Sequence, residues 1–332
     1  MEKPRITIIG LGLIGGSIGL ALTDSTKALH IVGHDIDPGQ GRLAQKKGAV
    51  NESTLNLFDA CQDADLVVIA TPITAIRETM ALIGPHLKEG CVVTDTAKLK
   101  GPVLAWAADT LPAAVAYVGG APLLNPNARP DNIASLHGFE LARADLFENA
   151  LYAVCPSPQA PPTAVKRVSD MVSLLKARPF FLDPIEHDGM RAAVEGLATV
   201  ASLALMKEVS GSPGWRETRK LADHVFGMVT APLTTDASVQ RAQLLLNADN
   251  LLPRLDALLQ ELTRLREYLA VGNAEALEDV LSQATSMRAR WLADWAAAKW
   301  EEKLGEASSA STLGSLGNML GFGMGRRRPK EE

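Results

Sequence analysis

Four glycines fall within seven residues of an apolar run near the start of the chain, in "TIIGLGLIGGSIGLAL" from Thr7 to Leu22. Gly10, Gly12 and Gly15 fit the spacing G-x-G-x-x-G, with a strand pattern before them and a helical pattern after. In such a loop Gly10 permits the tight turn, Gly12 lets a pyrophosphate approach the backbone, and Gly15 lets the helix lie close to the strand. Together with Leu11, Leu13 and Ile14 they present unpaired N–H groups at a helix start, where the macrodipole also favours an anion. Asp35 ends the next strand pattern, twenty residues beyond Gly15. A carboxylate there accepts hydrogen bonds from ribose hydroxyls and repels a 2′-phosphate, which predicts NAD, with NADP the lesser alternative.

Such a loop needs a sheet to hold it. "RITIIG", "HIVGHD", "DLVVIATP", "CVVTD" and "AVAYVGG" read as strands buried on both faces, and "LYAVCPS" and "RPFFLDP" as two more. Helical patterns such as "GQGRLAQKKG" and "TAIRETMALIGPHL" separate them. This alternation predicts an α/β fold, a modified Rossmann doubly wound parallel sheet, over residues 1–184. From His187 onward the period becomes helical, in "HDGMRAAVEGLATVASLALMKEV", "SVQRAQLLLNADNLLPRLDALLQELTRLREYLA" and "AEALEDVLSQATSMRARWLADWAAAKW". Residues 185–300 therefore read as an all-helical dimerisation and substrate domain, whose wide apolar faces a second copy would cover. Residues 301–332, rich in Gly and Ser, read as a disordered tail.

Bulk properties narrow the partners. With 332 residues, 47% hydrophobic and 21% charged, the composition is that of a soluble globular protein. A net charge of -5 argues against nucleic acid as the main partner. Cys61, Cys91 and Cys155 lie far apart, without metal-ligand spacing, and read as buried thiols in a reducing compartment. "MEKPRITIIG" has no apolar signal-peptide core, and no apolar stretch reads as long enough for a bilayer. A cytoplasmic homodimer with a small-molecule substrate, and with neither metal nor membrane, is the expectation.

The run "GLGLIGGSIGLAL", with "VGHDID", "ADLVVIATPI", "VVTDTAKLK", "YVGGAP", "ADLFENALYAVCPSP" and "EHDGMRAAVEGLATVASLAL", resembles the prephenate and arogenate dehydrogenases, collinearly over about residues 5–250. The resemblance implies a substrate site in the cleft between the two domains. It implies oxidative decarboxylation of a cyclohexadienyl alcohol on the route to tyrosine, with hydride leaving the carbinol carbon for the nicotinamide. It also implies that Ala70, Thr71, Pro72 and Asp95 border the cofactor. Where the family reads Gly-Gly-His-Pro, with histidine the catalytic base, this chain reads "GGAPLLNP" and has Ala121. Lys98 stands where a serine orients that histidine. Glu195, Gly196 and Thr199 stand where the family helix carries serine and two histidines. Lys220, or Arg219 with a gap, stands where an arginine grips a substrate carboxylate. Loss of a general base alone costs about two to four orders of magnitude in rate.

Two residues are candidates to replace that base. Lys98 could polarise a carbinol oxygen or act as a base; it could equally be solvated or paired with Asp95. His137, in "ASLHGFE", could reach the cleft or lie on a surface loop. Lys100 reads as structural or cofactor-proximal, and His187 as positional. Glu195 could be a base, bind a cation or pair with Arg191 one turn back. Arg216, Arg219 and Lys220 suit a carboxylate-bearing substrate or a solvated face. Three functions are compatible with this pattern: a prephenate-type dehydrogenase with slow turnover, a divergent dehydrogenase of another small acid using Lys98, and a catalytically silent NAD-binding dimeric regulator.

Overall fold

The computed structural model describes residues 3–125, 138–234 and 236–300. Eight strands, β1 (Arg5–Ile9), β2 (His30–His34), β3 (Glu52–Ser53), β4 (Leu66–Ile69), β5 (Val92–Asp95), β6 (Ala116–Pro122), β7 (Leu151–Pro156) and β8 (Arg178–Phe181), form one sheet in the order β3-β2-β1-β4-β5-β6-β7-β8. The order steps outward from β1 in both directions, the doubly wound arrangement that places loops at the C-terminal strand ends. Helices α1 (Leu13–Ser25), α2 (Pro38–Lys46), α3 (Leu57–Cys61), α4 (Ile73–Ile83), α5 (Gly101–Thr110) and α6 (Pro162–Leu174) cover it.

The continuous apolar runs follow from burial on both faces. Ile8 and Val68 pack with Ile18, Leu22 and Met171 on one side. Val67 and Ile69 pack with Ile76, Met80 and Val103 on the other. Two features depart from the expected all-parallel, fully buried sheet. β7 runs antiparallel to β6, with Val118 opposite Pro156 and Pro122 opposite Tyr152. Strand direction leaves no trace in an apolar run, because either hydrogen-bonding pattern accepts the same side chains. β8 is an edge strand whose Phe180 and Phe181 are exposed. β3 spans two residues, too short for any period to reveal.

The second half starts earlier than the helical period suggested, inside the segment read as a strand: Asp183 caps a helix with Pro184 at its first position, its carboxylate accepting from Ile185 N at 2.8 Å. Helix α7 (Pro184–Arg191), a π-helical turn (Ala192–Gly196) and α8 (Leu197–Gly211) run on as one. Then follow α9 (Trp215–Thr218), α10 (His224–Thr230), α11 (Ala237–Leu246), α12 (Ala248–Val271) and α13 (Ala274–Ala296). The segment read as one helix over 238–270 is broken at Asn247, whose Nδ2 donates to the Asp188 carbonyl at 2.9 Å. Gly272, at φ +66°, ends α12 in the left-handed conformation.

The expectation that no segment is long and apolar enough to cross a bilayer is corrected. The 28-residue helix Pro184–Gly211 meets that length and composition, with mean hydropathy 1.2 in its most apolar window. Its middle carries Arg191 and Glu195, ion-paired at a domain seam, and α8 packs on α10 and α12. The tail reading, 301–332, and His137 lie outside the described residues.

Candidate active site

The glycine loop has the three properties its spacing demands. Gly10 has φ +93°, and a Cβ on it would lie 2.7 Å from the Ala70 carbonyl oxygen. A Cβ on Gly15 would lie 1.9 Å from the Gly10 carbonyl oxygen, so only glycine lets α1 sit this close to β1. A Cβ on Gly12 would meet nothing within 4 Å, so that glycine faces open space. Gly12 caps α1 without a side-chain hydrogen bond, and the first turn holds no acidic residue. The helix start therefore keeps free N–H groups and an uncompensated positive end. Beside it, the Thr71 hydroxyl is buried without a partner. Asp35 reaches the same loop, its carboxylate accepting from Leu11 N at 2.7 Å and Asp37 N at 2.8 Å. The next residue, Ile36, is almost wholly exposed. Free amides, an unsatisfied hydroxyl, a carboxylate and an exposed apolar side chain at the C-terminal ends of β1, β2 and β4 fit a dinucleotide.

The end of β5 is a buried polar platform. The Asp95 carboxylate accepts from Lys100 Nζ at 2.5 Å, Tyr117 Oη at 2.7 Å, Ala97 N at 2.8 Å and Gly120 N at 3.2 Å. Burial and the Asp95 charge push the Tyr117 phenol far above its usual range. The expectation that Asp95 borders a cofactor changes accordingly. Its side chain is 0% exposed and its oxygens are committed inside the protein. The pairing considered for Lys98 with Asp95 is made by Lys100 instead. Ala121 is buried opposite Ala153, in a small apolar cluster with Cys155.

Lys98 extends from the loop after β5 to Glu195, on the π-helical turn of the other domain, and forms an ion pair with its Oε1. Arg191 Nη2 holds Glu195 Oε2 at 2.5 Å. Burial would raise the Glu195 carboxyl, but the two cations outweigh it and hold the group below its usual range. Behind the three lies a cavity of about 30 Å³. Thr199, Gln240, Gln243 and Asn247 are among its lining residues, and among the described residues no histidine lines it. The π-turn is a helical irregularity that recurs at functional sites. Sequence reasoning found Lys98, Glu195 and Arg191 but missed Gln240, Gln243 and Asn247. Two glutamines three apart on one helical face were the available signal.

The domains are tied just beneath this cluster. Asp188 Oδ1 accepts from Lys100 N at 2.7 Å and Oδ2 from Gly101 N at 2.8 Å, so a carboxylate of the helical half caps α5. His187 Nδ1 lies 2.9 Å from Asp188 Oδ1. Burial holds the imidazole below its usual range, against the pull of Asp188. Arg219 and Lys220 are not brought to this cluster: both are exposed just after α9, and Lys220 pairs with Glu217.

Residues 18–180 match the nucleotide-binding domain of prephenate dehydrogenase, and residues 183–283 match its dimerization domain. Prephenate dehydrogenase of Bacillus subtilis is 28% identical over 280 residues, 83% of this chain and 72% of its own. Cyclohexadienyl dehydrogenase of Zymomonas mobilis is 25% identical over 286 residues, 86% of this chain and 94% of its own. Prephenate dehydrogenase from A. aeolicus, solved in complex with hydroxyphenyl propionate and NAD+, shares the fold with a TM-score of 0.77. It is 22% identical, over 87% of this chain and 99% of that one. Since the two matches fall in order on the sheet that carries the glycine loop and on the helices that carry Glu195, the chain belongs to the prephenate dehydrogenase family.

Proposed function

We propose that the protein is an NAD-dependent dehydrogenase of a small carboxylate-bearing cyclohexadienyl alcohol, of the prephenate or arogenate kind, working as a cytoplasmic homodimer. The observation that carries this reading is that one edge of one sheet bears both features of the site. It carries the uncapped glycine loop at β1 and, two strands away, Lys98 in an ion cluster with Glu195 and Arg191. In this reading the amides of Gly12 to Gly15 hold the diphosphate, those of Gly10 and Leu11 being spent on the His34 carbonyl and the Asp35 carboxylate, and Asp35 takes the ribose hydroxyls. Ala70, Thr71 and Pro72 line the way to the nicotinamide, with the Thr71 hydroxyl gaining the partner it lacks. Bound NAD supplies a hydride acceptor. Lys98, a cation already committed to Glu195, serves to hold substrate oxygen and not to take its proton.

The methyl group of Ala121 accepts no proton, so the hydroxyl proton leaves to water. That lowers the rate by about two to four orders of magnitude relative to a site with a positioned base. The exposed apolar side chains of α12 and α13, such as Leu259, Leu269, Met287 and Trp291, support the dimer. So does the matched dimerization domain. Its test is sedimentation at twice the chain mass. The three buried free thiols suit a reducing compartment.

The test is calorimetric titration with NAD, followed by NADH appearance with prephenate and with arogenate. Binding with slow turnover is expected. Absence of binding at millimolar NAD, or turnover at ordinary enzyme rates, contradicts the binding reading and the missing-base reading respectively. A second reading, a catalytically silent NAD-binding regulator, draws on the apolar surroundings of Ala121. It gains if NAD raises the melting temperature and no NADH forms from either substrate or from other small hydroxy acids.

A further inference from the structure

Helix α1 has to present its first amides in a fixed arrangement, yet its sequence gives that turn little support of its own. Gly15 and Gly16 follow one another in the first turn, and glycine is the weakest helix former after proline. Gly12 caps the helix without a side-chain hydrogen bond. A capping side chain would steady the turn only by taking amides that an anion needs. Support therefore has to come from the side.

It comes from the chain between β6 and β7. A 3-10 turn, Phe139–Leu141, lies across both α1 and α2. The Phe139 ring is 3% exposed and rests on Gly16, where a Cβ would come within 2.6 Å of ring carbon Cδ2 and 3.0 Å of Ala142 Cβ. Gly15 thus lets α1 lie on β1, and Gly16 lets this turn lie on α1. Two hydrogen bonds fix the placement. Phe139 N donates to Gln40 Oε1 of α2 at 2.8 Å, and Arg143 N donates to the buried Ser17 hydroxyl of α1 at 3.0 Å. Gln40 N in turn donates to the Asp37 carbonyl, and Asp37 N to Asp35 Oδ1. The Gly16 amide is spent on the Gly12 carbonyl at 2.9 Å, so these contacts use none of the amides of Gly12 to Gly15.

We propose that Phe139 and Gln40 are positioning residues for the dinucleotide: they brace the first turn of α1 from outside, in place of a helix cap, and so keep its amides both ordered and unspent for the diphosphate. This rests on the dinucleotide reading of the glycine loop. Asp35 is held at the ribose position by its own bonds to Leu11 N and Asp37 N, whereas the amide turn depends on the brace. A looser brace leaves the turn to be ordered by the ligand itself, and that ordering is subtracted from affinity. The loss falls on ligands that carry a diphosphate and spares those that offer only a ribose.

The test is calorimetry on the full-length protein with NAD and with ADP-ribose, and competition of adenosine against NAD. Gln40→Met removes the acceptor and keeps the side-chain length, at a partly exposed position where the fold is expected to persist. NAD and ADP-ribose are expected to bind this variant about fivefold more weakly, the scale of one hydrogen bond, and adenosine within about twofold of wild type. Gly16→Ala probes the brace from the helix side. Alanine is the better helix former, so a turn limited by its own propensity would bind ADP-ribose more tightly. With the brace in place the methyl group meets the Phe139 ring, and ADP-ribose is expected to bind about tenfold more weakly. Unchanged ADP-ribose affinity in Gln40→Met, an equal loss for adenosine, or tighter ADP-ribose binding by Gly16→Ala would overturn the proposal. If Gly16→Ala does not fold, Gln40→Met decides. Failure of the wild type to bind NAD at millimolar concentration sinks the dinucleotide reading, whereas normal wild-type binding with no loss in Gln40→Met sinks this inference alone.

Discussion

Lys100 Nζ lies 2.5 Å from Asp95 Oδ2 and 2.6 Å from the Gly120 carbonyl oxygen, with both side chains almost wholly out of water. The pair joins the end of β5 to β6 and to the start of α5, directly below the loop that projects Lys98. Replacing Lys100 leaves the buried Asp95 carboxylate with neutral donors only and no counter-charge, which costs far more than the pair contributes over an apolar substitute. Lys100→Met is therefore expected to lower unfolding free energy by about 3–5 kcal/mol, read as a shift in the urea midpoint. A loss below about 1 kcal/mol would show that the remaining donors, or a proton, carry the Asp95 charge.

Two glycines of one loop should answer a methyl group differently. Gly15→Ala places carbon 1.9 Å from a backbone oxygen, so the variant is expected to be strongly destabilised or unfolded. Gly12→Ala meets open space, so its melting temperature should stay near wild type. The same methyl would stand where the diphosphate is proposed to lie, and NAD affinity should fall at least about tenfold. Gly12→Ala with unchanged NAD affinity would remove the cradle from the argument.

Acid should loosen the domain seam. Because burial holds His187 below its usual value near 6.5, the unfolded chain binds a proton more readily than the folded one. Its contribution to stability is whole above 6.5 and is lost as pH falls toward the lowered folded value. Melting temperature measured from pH 7.5 downward should decline through that window, and His187→Asn should flatten the decline. Glu195 adds a second step in the same direction at lower pH. Its lowered carboxyl stabilises the fold above the usual 4.5, and this is lost as pH falls through the lowered value. Equal slopes for wild type and His187→Asn between pH 7.5 and 5 would contradict the assignment.

Restoring a histidine at position 121 should not by itself restore a fast enzyme. Ala121 is 4% exposed and packed against Ala153 and Cys155, so the ring overfills its site at about 1–3 kcal/mol. Lys98 also occupies the loop position from which the resemblance expects an orienting serine, and a base works only when held in place. Ala121→His is expected to melt lower and to raise turnover by less than about tenfold. A stable variant with a rise of a hundredfold or more would show that position 121 was the whole deficit.

What the chain states locally is what its sequence revealed. The three glycines and the buried strands depend on residues a few places apart, and so did the reading of Asp35 at the end of β2. The pairing of Lys98 with Glu195 spans 97 positions and that of Lys100 with Asp188 spans 88. Which of Lys98 and Lys100 turns inward to Asp95 depends on how the loop after β5 is pinned by Asp188 of the other half. The antiparallel entry of β7 and the exposure of Arg219 and Lys220 are likewise properties of packing. The nucleotide half was thus legible because its chemistry resides in backbone conformation that short spacings dictate. The substrate half was decided by the docking of two domains, where a side chain's partner is chosen by distance in space, and no local pattern records that distance.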